Sequence, residues 1–125
     1  MEYTEKVIEH FTNPRNAGKI DDANAIATNG SPACGDQVSF FLKINPETEI
    51  IENISFLSYG CASNIATASM TTELVKGKSV NEAMQITHQK VTEQLGGLPD
   101  VKIHCSILAV ETLHAALKNY IDNKS

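Results

Sequence analysis

The cysteines at positions 34, 61 and 105 are the residues of this chain best suited to chemistry, because a thiolate is both a soft metal ligand and a sulfur nucleophile. Each lies at a junction between expected elements. Cys34 stands in Ser31-Pro32-Ala33-Cys34-Gly35-Asp36, a loop composition just ahead of a strand. Cys61 follows Tyr59-Gly60 and opens a helix-forming run, and Cys105 follows His104 where the last helix begins. Helix starts present unpaired N–H groups and the positive end of the dipole, so Cys61 and Cys105 are expected to ionise readily. Where such junctions converge on a small exposed cleft, Asp36 and His104 bring an oxygen and a nitrogen ligand into it. Three thiolates with one harder, exchangeable ligand suit an iron-sulfur cluster or zinc.

Other readings of the same residues carry less. A lone cysteine is most often a small buried apolar residue, but three at junctions, two of them flanked by glycine, depart from that pattern. Neither paired C-x-x-C nor the ferredoxin run is present. A cysteine hydrolase using His104 and Cys105 is set aside because neighbours at i and i+1 on a helix do not face each other. His10, His88 and His114 read as surface or partly buried helix residues, and Glu47, Glu49 and Glu52 as a solvated hairpin rim.

Tyr3, Val7, Ile8 and Phe11 keep helical spacing over residues 3 to 12, ahead of the turn-rich Asn13-Pro14-Arg15-Asn16-Ala17-Gly18. Residues 23 to 31 alternate only loosely. Gln37 to Ile44 has strand composition, Asn45-Pro46-Glu47-Thr48-Glu49 supplies a turn, and Ile50 to Tyr59 returns, so residues 36 to 59 read as a hairpin. A helix through Ala62, Ile65, Ala66, Met70 and Leu74 stops at Gly77. Ser79-Val80-Asn81-Glu82 has the form of a capping box, and a helix over residues 80 to 86 follows it. A short helix from Lys90 to Leu95 ends at Gly96-Gly97, and Leu98-Pro99-Asp100 is a connector that cannot be helical at Pro99. Ile103, Ile107, Val110, Leu113, Leu117 and Tyr120 or Ile121 then keep to steps of three and four along the last helix.

The chain has 125 residues, 42% of them hydrophobic, which is the size of one compact domain spanning residues 1–125. A net charge of −5, with fifteen acids outnumbering ten scattered Lys and Arg, excludes nucleic acid as a partner. The acidic first residues lack an apolar signal core and no apolar run approaches the ~20 residues that cross a bilayer, so the expected setting is the cytoplasm, with no membrane partner. Three cysteines cannot all pair, and in a reducing compartment thiols are expected.

Asn13-Pro14-Arg15-Asn16, Ala33-Cys34-Gly35-Asp36, Tyr59-Gly60-Cys61, Val75-Lys76-Gly77-Lys78-Ser79 and Val101-Lys102-Ile103-His104-Cys105-Ser106-Ile107-Leu108-Ala109 together resemble the IscU family and the N-terminal part of NifU. The likeness runs from Tyr3 to Tyr120. It implies an α+β fold of the SufE/NifU-like kind, a small three-stranded antiparallel sheet packed against several helices, and a scaffold for iron-sulfur clusters rather than a turnover enzyme. By the same resemblance Cys34, Cys61 and Cys105 are the thiolate ligands, and Asp36 and His104 are alternative fourth ligands. Cys105 is also the residue that accepts persulfide sulfur. The implied cargo is iron and a 2Fe-2S or 4Fe-4S cluster, with zinc taken up by isolated protein. The implied partners are a cysteine desulfurase of the IscS/NifS kind, a frataxin-like protein, a ferredoxin, apo iron-sulfur proteins and a second copy in a homodimer.

Two departures bear on this. Leu98-Pro99-Asp100-Val101-Lys102 has Asp100 where the family has a second proline, which argues against recognition by a dedicated Hsp70-type chaperone. Ala62 and Asn64 replace commoner glycine and alanine after the second cysteine, which places the Asn64 amide near the cluster or on the helix surface. The alternative within the resemblance is a SufU-like, zinc-dependent sulfur acceptor, whose relatives carry an insertion between the second and third cysteines and lack the histidine beside the third. His104 and the missing insertion favour the scaffold. A closed structural zinc module is disfavoured because its site would depend on a carboxylate or a single histidine.

Overall fold

The computed structural model describes residues 2–31 and 35–123. Among these the chain runs α1 (Glu5–Thr12), β1 (Ala25–Ser31), β2 (Asp36–Ile44), β3 (Ile51–Tyr59), α2 (Ala62–Val75), α3 (Val80–Met84), α4 (His88–Gln94), a 3-10 turn (Asp100–Lys102) and α5 (Ile103–Asn123). The strands form an antiparallel meander in the order β1-β2-β3. This is the α+β architecture expected, with the loosely alternating stretch before Ser31 supplying β1. Its inward residues are the small Ala25 and Ala27, which is why its alternation is faint.

Val38, Phe40, Leu42 and Ile44 of β2 point to the same side as Ile54 and Phe56 of β3 and meet Leu113, Leu117 and Tyr120 of α5. Each large side chain buried there contributes ~1.5–3 kcal/mol. A second cluster of Val7, Ala66, Met70, Val91, Leu95 and Val110 joins α1, α4 and α5 to the opposite side of α2. Helix α2 is thus buried over most of its length, and Ser63, Asn64, Thr67, Ser69, Thr71 and Thr72 are all buried. Hydroxyls inside it turn back on the helix: Thr67 donates to the Asn64 carbonyl, Thr71 to Thr67 and Thr72 to Ser69.

The Asn13-Pro14-Arg15-Asn16 segment ties α1 to α2 and to the sheet edge. Arg15 N–H donates to Ser69 Oγ, Asn16 Nδ2 to Thr72 Oγ1, and the Asn16 carbonyl accepts from Phe56 N–H of β3. The Ser79–Glu82 capping box forms as read.

Four expectations are corrected. On α1 the buried residues are Val7 and His10, while Ile8 and Phe11 face solvent, because His10 Nδ1 is hydrogen-bonded to the Ser69 hydroxyl at 2.8 Å. On α5 the buried face passes through Ala109, Val110, Leu113, Leu117 and Tyr120 and leaves Ile107 and Ile121 exposed. Glu49 is not plain rim: it accepts the Tyr120 hydroxyl proton at 2.6 Å, which fixes the hairpin turn on α5. Asn64 is not on the helix surface; it is 1% exposed and its side-chain amide is bonded to the strand ends.

Candidate functional site

One end of the sheet gathers the residues that could do chemistry. Asp36 opens β2, Tyr59 closes β3 opposite Gln37, Cys61 is the N-cap of α2, and the 3-10 turn delivers His104 and Cys105 in the first turn of α5. Gly60, at φ 148°, makes the junction possible. A Cβ there would overlap the Asp36 carboxylate and lie 2.9 Å from the Gly35 carbonyl, so only glycine lets the Asp36 side chain cross it. Asn64 holds the two strand ends together, with Nδ2 at 3.1 Å from the Gln37 carbonyl, 2.7 Å from Ser58 Oγ and 3.1 Å from the Tyr59 carbonyl.

The side chains that meet here close into a ring. Asp36 Oδ2 lies 3.0 Å from His104 Nε2, which lies 3.6 Å from Cys105 Sγ. Cys105 Sγ is 3.3 Å from Ser63 Oγ, Ser63 Oγ is 3.0 Å from Cys61 Sγ, and Cys61 Sγ returns to Asp36 Oδ1 at 4.0 Å. Ligand atoms of Asp36, His104 and Cys105 fall within 4.8 Å of one another, a group that could hold a metal ion. His104 Nδ1 is 3.1 Å from the Val101 carbonyl, which can only accept. Nδ1 donates there, and Nε2 is the atom turned to the Asp36 carboxylate and the site, the arrangement of histidines oriented for metals.

The two described thiols differ. Burial and, less, the Asp36 charge push the Cys61 thiol up, but the Ser63 hydroxyl, the Asn64 backbone N–H and the Lys102 ammonium outweigh them and leave it below the usual thiol value. The Cys61 sulfur raises the Lys102 ammonium in turn. Cys105 is fully buried, and burial pushes its thiol up to about 12. The expectation that a helix start makes both cysteines ionise readily therefore holds for Cys61 and fails for Cys105, whose sulfur points inward against α2.

Of the five residues singled out as ligands, the structure brings Asp36, Cys61, His104 and Cys105 together, and Cys34 lies outside the described residues. The cleft is less open than expected, with Cys61 half-buried and Cys105 buried. His104 and Cys105 do face each other despite being neighbours, since the imidazole folds across the helix start. The hydrolase reading gains nothing from this, because Nε2 is directed at Asp36. Ser63, Gly60 and the Val101 carbonyl were not singled out by sequence; a hydroxyl two residues after Cys61 was the one legible signal for Ser63.

The NifU-like N terminal domain family matches residues 2–125. The chain is 52% identical over 121 residues to an iron-sulfur cluster assembly scaffold protein IscU of Aquifex aeolicus, covering 97% of this chain and 77% of that one. It is 48% identical over 123 residues to the protein of the same name in Escherichia coli K12, covering 96% and 94%. In fold it is similar to the N-terminal part of a NifU-like protein from Brucella abortus, with a TM-score of 0.75, 16% identity and coverage of 96% and 94%. With nearly its whole length matched, the chain belongs to the NifU-like N-terminal domain family.

Proposed function

We propose that the chain is a single scaffold domain on which iron-sulfur clusters are built de novo and from which they pass to apo iron-sulfur proteins. The observation that carries this reading is the ring of Asp36, Cys61, His104 and Cys105 at one end of the sheet. It combines soft thiolate ligands with a carboxylate and an imidazole that release metal more readily than a further thiolate would. Relatives named as iron-sulfur cluster assembly scaffolds match most of the chain.

Cys34, Cys61 and Cys105 are taken as the thiolate ligands, with Asp36 or His104 as the fourth. Iron held beside Cys105 supplies the positive charge that a buried thiolate needs. The Cys105 thiolate then attacks the outer sulfur of a persulfide on a cysteine desulfurase; the donor's S–S bond breaks, the desulfurase thiolate leaves, and Cys105 carries the persulfide. Two electrons from a ferredoxin cleave that bond to sulfide and restore the thiolate. Supply of iron by a frataxin-like protein, transient pairing of two copies, and a cytoplasmic setting complete the proposal. Among the described residues no helix is long and apolar enough to cross a membrane.

The test is anaerobic assembly with a cysteine desulfurase, cysteine, ferrous iron and a reductant, followed by addition of an apo-ferredoxin. A cluster that grows in, gives a Mössbauer spectrum of 2Fe-2S or 4Fe-4S type and moves to the ferredoxin supports the reading. Sulfur uptake with no cluster, and zinc that stays bound, would replace the scaffold by a zinc-dependent sulfur acceptor. Within that assay, Asp36→Ala slows release of the cluster to the acceptor; unchanged transfer kinetics remove Asp36 from that role.

A further inference from the structure

Ser63 stands apart from the other buried hydroxyls of α2. Thr67, Thr71 and Thr72 each donate to a carbonyl of their own helix, Thr67 also lying 3.3 Å from the Cys105 carbonyl, and Ser69 serves His10 and Arg15. Ser63 is fully buried and instead has sulfur on both sides, Cys61 Sγ at 3.0 Å and Cys105 Sγ at 3.3 Å. It is the one member of the ring that is neither a carboxylate, a thiol nor an imidazole.

A hydroxyl has one proton to give. While one sulfur is a thiol, Ser63 accepts from it and donates to the other. Once both sulfurs are metal-bound thiolates, both can only accept, and the single proton is shared between them. A hydrogen bond to a ligand sulfur draws electron density away from the metal, which raises the reduction potential of a cluster and weakens the metal–sulfur bond. We propose that Ser63 is a positioning residue for the sulfur ligands, its hydroxyl a donor shared by Cys61 and Cys105 that makes bound cargo easier to reduce and to release. This rests on the scaffold reading only for its consequence in cluster transfer; the effect on a bound metal stands on the two distances.

The probe is cobalt(II) alone, titrated anaerobically into wild-type protein, Ser63→Ala and Ser69→Ala. Ser69→Ala removes an equally buried hydroxyl of the same helix that touches no sulfur, and circular dichroism verifies the fold of each variant. Without the hydrogen bond the sulfurs donate more strongly. The sulfur-to-cobalt charge-transfer band is therefore expected to move to lower energy in Ser63→Ala and to stay in place in Ser69→Ala. In reconstituted protein the same change lowers the cluster's reduction potential and slows its transfer to apo-ferredoxin about fivefold, the equivalent of one hydrogen bond of ~1 kcal/mol. A Ser63→Ala band at the wild-type position, or an equal shift in Ser69→Ala, overturns the inference. A wild-type protein that builds no cluster would refute the scaffold reading, while the cobalt band still decides for or against Ser63.

Discussion

Asn64→Ala is the substitution whose cost follows most directly from the structure. The Nδ2 atom carries two protons and lies within hydrogen-bond distance of three acceptors, the Gln37 and Tyr59 carbonyls and Ser58 Oγ, so at any moment two bonds are made. Losing two bonds at ~1 kcal/mol each, and leaving an acceptor short of a partner, costs about 2–3 kcal/mol. Alanine recovers about 0.5 kcal/mol as the better helix former. The net loss of about 2 kcal/mol corresponds to a fall in Tm of roughly 6–10 °C for a domain of this size. Thermal unfolding followed by circular dichroism in metal-free buffer measures it. Hydrogen exchange locates it, with amides around Gln37 and Tyr59 opening faster than those of the β1–β2 ladder. A Tm within about 2 °C of wild type would mean that water or Ser58 satisfies the strand ends without Asn64, and the clamp would not exist.

Three further outcomes are expected. Gly60→Ala forces the Asp36 carboxylate aside and strains a left-handed backbone, at a cost of about 1–3 kcal/mol and at least about tenfold in zinc affinity measured against a chromophoric chelator; retention of both would refute the packing argument. Burial, then the Arg15 charge, hold His10 below its ordinary value, so its contribution to stability is present above the unfolded-state pKa of 6.5 and is lost as pH falls through the lower folded-state value. Urea midpoints therefore drop on acidification and His10→Gln flattens that drop; parallel profiles for the two proteins would remove His10 as the cause. In metal-free protein at about pH 8 iodoacetamide modifies Cys61 well before Cys105, since one thiol is half-buried and lowered while the other is buried and pushed up to about 12; peptide mass spectrometry showing equal rates would contradict the assignment.

Elements with strong local signals were legible from sequence: the Ser79–Glu82 capping box, the strand pair on either side of Asn45-Pro46, the stop at Gly77 and the long helix after Pro99 all stand where their residues indicate. Helix faces were less so. Ile8 and Phe11 fit a stripe as well as His10 does, and only the Ser69 hydroxyl waiting on α2 selects the histidine. At the site, residue type named Asp36, Cys61, His104 and Cys105, because each is a ligand in its own right. Ser63, the Val101 carbonyl and the contrast between the two thiols depend on which way α2 and α5 face one another. That is a long-range property with no periodicity to betray it.

Helix α2 is composed largely of serine, threonine, asparagine and alanine and is buried over most of its length, with Glu73 exposed. Apart from its alanines these are weak helix formers, so most of its stability is borrowed from its neighbours. The strands and α5 lend it one wall, α1 and α4 the other. A helix held in this way does not fray by itself; it melts when the rest melts. Because Cys61 and Ser63 sit on its first turn, whatever binds there and not to the unfolded chain adds its binding free energy to the stability of the entire domain. Occupancy of the sulfur site is then readable from afar, in the Tm and in the amide protection of residues as distant as Val75.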